Sequence, residues 1–277
     1  MTISEVIERL WSWHSPLDPA QKTCDGVQYG DVSQPCTGIV VTCNPSAEVI
    51  RQAAGRGCNL VLGHEPLFYD GWDETGWLET DRVLAAKKKL LDETGVVVVR
   101  DHDHMHNDRP DGIFGGLERR LGWQAYRREV ENLPLGFFYV LPKTTVCAVA
   151  NHVARVMNIP GIRILGDPEL SVERVLIAAH FLGTDWDRIG IRNIEQTDAQ
   201  LVIPGEVIDW TLCSYIQDSN ALGIHRAVLN VGHYNLEEPG MKDFAGDLAA
   251  RLGVEVPVRF LQSGDHFRWF DAEHAQC

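Results

Sequence analysis

Several features are missing from this chain, and each absence excludes a class of protein. Across 277 residues no uncharged apolar run approaches the ~20 positions that span a bilayer, so no membrane partner is expected. The opening stretch from Met1 to Leu10 carries Glu5 and Glu8 and no basic n-region, so it does not read as a secretory signal. A cytoplasmic protein is expected. No C-x-x-C pair occurs, and the seven cysteines are an odd number, which fits reduced thiols better than a disulfide frame. No cysteine stands beside a histidine as a nucleophile would. Basic residues are scarce: 25 Lys and Arg face 39 Asp and Glu, a net charge of −14. A nucleic-acid binder needs a basic face, so no nucleic-acid partner is expected. The densest basic run, Lys87-Lys88-Lys89, reads as a solvated helix face. Walker-type glycine loops, low-complexity tracts and close internal repeats are also absent.

What is present reads as alternating strands and helices. With 44% hydrophobic and 23% charged residues, the chain has the composition of a globular protein and the length for two lobes. Thr2 and Glu5 make a capping box for an opening helix with Val6, Ile7, Leu10 and Trp11 on one face. Strand 38–42, helix 46–56, strand 59–62, helix 80–94 and strand 96–99 then form a βαβαβ run, which right-handed crossovers make parallel. A helix at 111–121 follows. After Gly122 the cycle restarts with strand 137–141, helix 144–157, strands at 162–165, 174–178 and 201–203, helix 207–222, strand 227–231, helix 241–252 and strand 256–261. The tail 271–277 is polar and expected to fray. The expected fold is α/β, with two lobes of largely parallel sheet, residues 1–125 and 126–277. The last strand is free to return to the first lobe.

Ligands of open parallel sheets bind outside the carboxyl ends of the strands. Three expected strands end in imidazole and carboxylate: one runs into His64-Glu65, one into the segment 100–108 with His102, His104, His106 and Asp108, and one into His233 and Glu237. Mixed nitrogen and oxygen donors suit zinc, manganese or iron, whereas calcium prefers oxygen alone. His64 by itself would pass for a core histidine; three such clusters together point to a metal site. Spacing alone leaves open which of His102, His104 and His106 faces inward. Glu206 reads either as a proton-transfer group or as a carboxylate at a helix start.

Three segments, in this order, resemble a known family. They are 38–68 with its Gly63-His64-Glu65-Pro66 turn, His104-Met-His-Asn-Asp108 with the following Arg-Pro-Asp-Gly-Ile113, and Gly232-His-Tyr-Asn-Leu-Glu237. Asp25-Gly-Val-Gln-Tyr-Gly30 and Ile203-Pro-Gly-Glu206 are smaller echoes. Together they are similar to the NIF-three-like dinuclear-metal family, labelled "GTP cyclohydrolase 1 type 2 homolog". The resemblance implies two divalent ions (Zn, Mn or Fe) in a cleft and a homo-hexamer. It carries over His64, Asp108, His233 and Glu237 as ligands, with His104 near the site. Glu65 stands where the family has a second histidine, and a carboxylate there favours harder cations. Two close cations would acidify water and polarise an electrophile, with His104, His106 or Glu206 moving protons. The aromatic loop 67–72, with Trp77, would line a pocket or an interface. Two functions fit this picture: a metal-dependent hydrolase of a small phosphorylated or nucleotide-like substrate, and a non-catalytic metal-binding regulatory or scaffold protein.

Overall fold

A computed structural model of the chain describes residues 1–134, 136–178, 180–253 and 256–268; the tail expected to fray lies outside them. Two compact units divide the chain, one of residues 1–117 and 237–263, the other of 118–236 and 264–277. Two of the three chain divisions, at 117/118 and 236/237, fall inside helices, and the third lies at 263/264.

In the first unit the order is α1 (Ile3–Trp11), β1 (Gly26–Tyr29), β2 (Ile39–Thr42), α2 (Ala47–Gly55), β3 (Leu60–Gly63), α3 (Arg82–Thr94), β4 (Val97–Arg100), α4 (Asp103–Asn107) and the start of α5 (Gly112–Leu121). The capping box of Thr2 and Glu5 forms as expected. Ser46 caps α2, Asp81 caps α3, and Gly95 closes α3 in the left-handed conformation at φ 64°. Every residue of β2, β3 and β4 is buried, which is why these strands are apolar on both faces.

The second unit contains β5 (Arg127–Arg128), β6 (Gly136–Thr145), α6 (Val146–Met157), β7 (Arg163–Leu165), β8 (Ser171–Ala178), α7 (Asp185–Thr197), β9 (Leu201–Pro204), α8 (Ser214–Ala221) and β10 (Ala227–Asn230). Then α9 (His233–Leu252) leads back to β11 (Val258–Phe260) in the first unit.

The first sheet has the order β1-β4-β3-β2-β11 and is parallel except at β1. The last strand therefore returns to the first sheet, beside β2. The second sheet, β5-β6-β8-β9-β10-β7, is mixed: β8, β9 and β10 run parallel, whereas β5, β6 and β7 join by antiparallel pairings.

Several features differ from the sequence reading. Helix α7 was not anticipated, although Thr184 and Asp187 form its capping box and Asp187 also takes the N–H groups of Leu182 and Gly183. Helix α9 begins at His233, not near Met241, and runs through Pro239. Pro239-Gly240 looks like a turn in sequence, but Gly240 is there for contact: a Cβ on it would lie 2.4 Å from the Ile113 carbonyl of α5. Lys87 is not solvated. It is buried on α3 and donates to the Leu67 carbonyl, and burial lowers it to about 8.

Candidate metal centre

Register sets the first cluster. Thr42, Gly63 and Arg100 lie level at the carboxyl edge of β2, β3 and β4. The next residues, Cys43, His64 and Asp101, therefore share that edge: the N–H of His64 donates to Cys43 O at 3.0 Å and that of Asp101 to Gly63 O at 2.9 Å. Gly63 itself admits the ring of Pro45, which a Cβ would meet at 3.1 Å.

From that edge His64 is fully buried, and its Nδ1 donates to the Asp101 carbonyl at 3.0 Å. Its Nε2 lies 3.2 Å from His106 Nε2 and 3.4 Å from Glu237 Oε2. Helix α4 brings up the other imidazoles. His102 and His106 stand four residues apart at this helix, with ring centroids 4.8 Å from each other and 4.5 and 5.0 Å from the His64 ring. Both are held from behind: His106 Nδ1 donates to Asp111 Oδ2 at 3.0 Å, and His102 Nδ1 to Asp103 Oδ1 at 2.9 Å. Ligand atoms of His64, His102 and His106 lie within 4.8 Å of one another, and so do those of His64, Glu65 and Glu237. Burial first, and then the neighbouring His102 and His106, push His64 well below the usual histidine range, which keeps it neutral.

This donor set fits a divalent transition metal. An imidazole whose Nδ1–H faces an oxygen presents Nε2 as a lone pair, the arrangement in which histidine binds metals. Two Nε2 atoms at 3.2 Å repel unless a proton or a metal ion lies between them. Two buried carboxylates, Glu65 and Glu237, supply negative charge beside them.

A single carboxylate fixes α4 in this pose. Asp25 Oδ1 accepts from the backbone N–H of His102 (2.6 Å) and Asp103 (3.0 Å), and Oδ2 from His104 N (2.8 Å) and His104 Nδ1 (2.6 Å). His104 is thereby turned to Asp25 and stacked on Trp11, ring centroids 4.8 Å apart. Asp108 is drawn to His14: the two share a 2.7 Å hydrogen bond, and the Ser15 N–H donates to Asp108 at 2.8 Å. His14 also lies 3.2 Å from Asp101. Burial would lower His14, but Asp101 and Asp108 outweigh it and raise it to about 9.

The second unit has a cluster of its own. His180 and His233 each direct Nδ1 at a different oxygen of Glu206, the latter at 2.6 Å. Burial pushes Glu206 up, but the hydrogen bonds from the two histidines prevail and bring it to about 2.

The family profile described as Duf34/NIF3 (NGG1p interacting factor 3) matches residues 1–265. The chain belongs to the Duf34/NIF3 family. A "GTP cyclohydrolase 1 type 2 homolog" of Clostridium perfringens is 24% identical over 241 residues, which are 83% of this chain and 85% of that one. A Bacillus cereus protein related to NIF3 has the same fold, with TM-score 0.71, 14% identity and coverage of 98% and 99% of the two chains. A Staphylococcus aureus hypothetical protein matches equally, with TM-score 0.71 and 16% identity over 98% and 99%.

Within this Duf34/NIF3 chain, His64, Glu65 and Glu237, all expected as ligands, come together in the first unit with His106, which was expected to move protons. His104 and Asp108 do not join them; His102 and His106, two residues upstream at the same spacing, do. His233 and Glu206 group in the second unit with His180, a residue missed in sequence. The signal for it was available: like His64, it stands just past a strand. Cys24 was also missed, as a neighbour of His102 and Asp103. Burial pushes its thiol up to about 12, so it is no nucleophile. The aromatic loop is divided: Leu67 and Phe68 are buried, while Tyr69, Trp72 and Trp77 are exposed. Arg100 braces the loop by donating to the carbonyls of His64 (3.1 Å) and Gly71 (2.6 Å).

Proposed function

We propose that His64, His102, His106, Glu65 and Glu237 hold a divalent transition-metal ion, and that the protein is a metal-dependent hydrolase of a small phosphorylated or nucleotide-like substrate. One observation carries the metal reading: three imidazoles have their Nδ1 atoms bonded to oxygens, and two of their Nε2 atoms face each other at 3.2 Å. When bound, a divalent ion supplies a positive charge that acidifies water and polarises an electrophile. Around it, the chain's own groups orient and exclude. Asp111 and Asp103 keep protons on Nδ1 of His106 and His102, and Arg100 holds the backbone of His64. Glu65 and Glu237 hold negative charge in a buried place, which favours a divalent over a monovalent guest. The relative named as a GTP cyclohydrolase homolog supports the nucleotide-like substrate class.

A homo-hexamer in the cytoplasm completes the proposal. The exposed Tyr69, Trp72 and Trp77 support burial in an assembly, and no helix among the described residues is long and apolar enough to cross a membrane. Light scattering tests the assembly; a monomer mass across micromolar concentrations refutes it.

Elemental analysis of the freshly purified protein, with and without His64→Ala, tests the metal centre. Bound zinc, manganese or iron that the substitution lowers is the expected result, and no metal under any loading condition refutes it. A panel of nucleotides and phosphate esters, assayed with the loaded protein, tests hydrolysis. Metal binding without turnover on that panel would support the regulatory or scaffold alternative.

A further inference from the structure

We propose that the second unit carries a binding pocket for a small, uncharged, planar heteroaromatic molecule, set between α6 and the chain that follows α5. A break in β6 opens it. Val140 pairs with Arg174 of β8 and Thr144 with Val172, so Leu141, Pro142 and Lys143 stand opposite Glu173 alone and bulge from the ladder. Pro142 has no N–H to give back to the sheet. Thr145 then caps α6 at once, its side chain accepting from Ala148 N at 3.2 Å, so the helix begins beside the bulge. Between them and the turn Gln124–Tyr126 lies a pocket of about 340 Å³, lined within residues 121–152 and so contained in the second unit.

The lining defines the guest. Leu121, Leu141 and Val149 are buried and supply apolar wall. Trp123 and His152 stand nearly parallel, planes 23° and centroids 6.2 Å from each other, and offer ring surface to a flat molecule. His152 Nε2–H donates to the Leu121 carbonyl at 2.9 Å, which fixes the imidazole and leaves Nδ1 as an acceptor. A buried indole N–H normally finds a partner. That of Trp123, a residue only 5% exposed, has none among the described residues, and neither has the Tyr126 hydroxyl. Donors and an acceptor in an apolar lining match the edge of a heterocycle carrying an amide or ring nitrogen. No Asp, Glu, Lys or Arg is among the described residues of the lining, so neither a phosphate nor an ammonium group meets a counter-charge there. The volume lies near the lower end of the ~300–1,000 Å³ of small-molecule pockets, which suits one or two fused rings. The guest is thus distinct from the phosphorylated substrate of the His64 centre, with which the pocket shares no residue and on which it does not rest.

The test uses the full chain, stripped with a chelator, and three neutral probes: nicotinamide, adenine and quinoline-3-carboxamide. Ligand-observed NMR and isothermal titration should show at least one of them bound. Quinoline-3-carboxylate, with the same shape as the amide and a negative charge, should bind about tenfold more weakly or not at all. Ala148→Trp places a large ring at an exposed helix position of the lining and should abolish binding, with circular dichroism and Tm unchanged. His152→Ala should weaken binding about tenfold. The proposal is overturned if no neutral probe binds at millimolar concentration, if the carboxylate binds as tightly as the amide, or if folded Ala148→Trp and His152→Ala both bind as the unaltered chain does. A fall in the mass of the assembly on Ala148→Trp would show the pocket filled by a second copy of the chain, and would overturn it as well.

Discussion

Replacing Asp25 by alanine should both destabilise the first unit and weaken metal binding. The Asp25 side chain is 1% exposed, and its two oxygens take three backbone N–H groups and one imidazole N–H at 2.6–3.0 Å. Removing an ordinary N-cap costs ~0.5–2 kcal/mol. Here four donors lose a charged acceptor, and each orphaned donor costs ~1–3 kcal/mol when water cannot replace the partner. Because His102, Asp103 and His104 are half-buried, water recovers part of that loss. The net expectation is about 2–4 kcal/mol, or a Tm lower by about 5–15 °C for a unit of this size. Freed from its anchor, α4 no longer holds His102 and His106 toward His64, so zinc affinity should fall about 10–100-fold. Asp25→Asn is the sharper probe: it keeps the volume but turns an NH₂ toward a row of N–H donors. Thermal unfolding followed by near-UV circular dichroism, together with a competitive zinc titration, reads both effects. A Tm within ~1 °C of the unaltered chain, with unchanged zinc affinity, would refute the role of Asp25.

His106→Ala should lower the bound metal, whereas Asp108→Ala should leave it unchanged and lower Tm by releasing His14; elemental analysis showing the reverse would restore Asp108 as a ligand. His14, raised to about 9 from 6.5, contributes stability that is fully present below about pH 6.5 and is lost as pH rises through about 9. The Tm gap between the unaltered chain and His14→Asn should therefore be widest near neutral pH or below and close in alkali; a constant gap would contradict the pairing. Glu65→His should raise the preference for zinc over manganese in competitive titration, and curves indistinguishable from the unaltered chain would remove Glu65 from the ligand set.

Much of the fold was legible because apolar runs and caps act locally. The runs 38–42, 59–62 and 96–99 could only be buried strands, and Ser46, Gly95 and the Thr2–Glu5 pair mark helix ends by hydrogen bonds made within a few residues. Local signals misled where a residue served a distant contact. Pro239-Gly240 reads as a turn yet lies within α9, since the glycine admits the backbone of α5. Lys87 reads as solvated but spends its ammonium on the Leu67 carbonyl. Helix α7 went unread although its capping box was in plain sequence, and with it went His180.

By itself, the sequence determined that histidines and carboxylates gather just past strand ends, since strand periodicity and the glycines around it place them there. It could not determine which of them meet. His102 and His106, like His104 and Asp108, are four residues apart, so a helix presents either pair as a single face, and spacing cannot choose between them. The choice was made by residues far along the chain: Asp25 takes His104, His14 takes Asp108, and His102 and His106 are left to His64. Helical spacing is degenerate, and only long-range partners, positioned by strand register and packing, break the degeneracy.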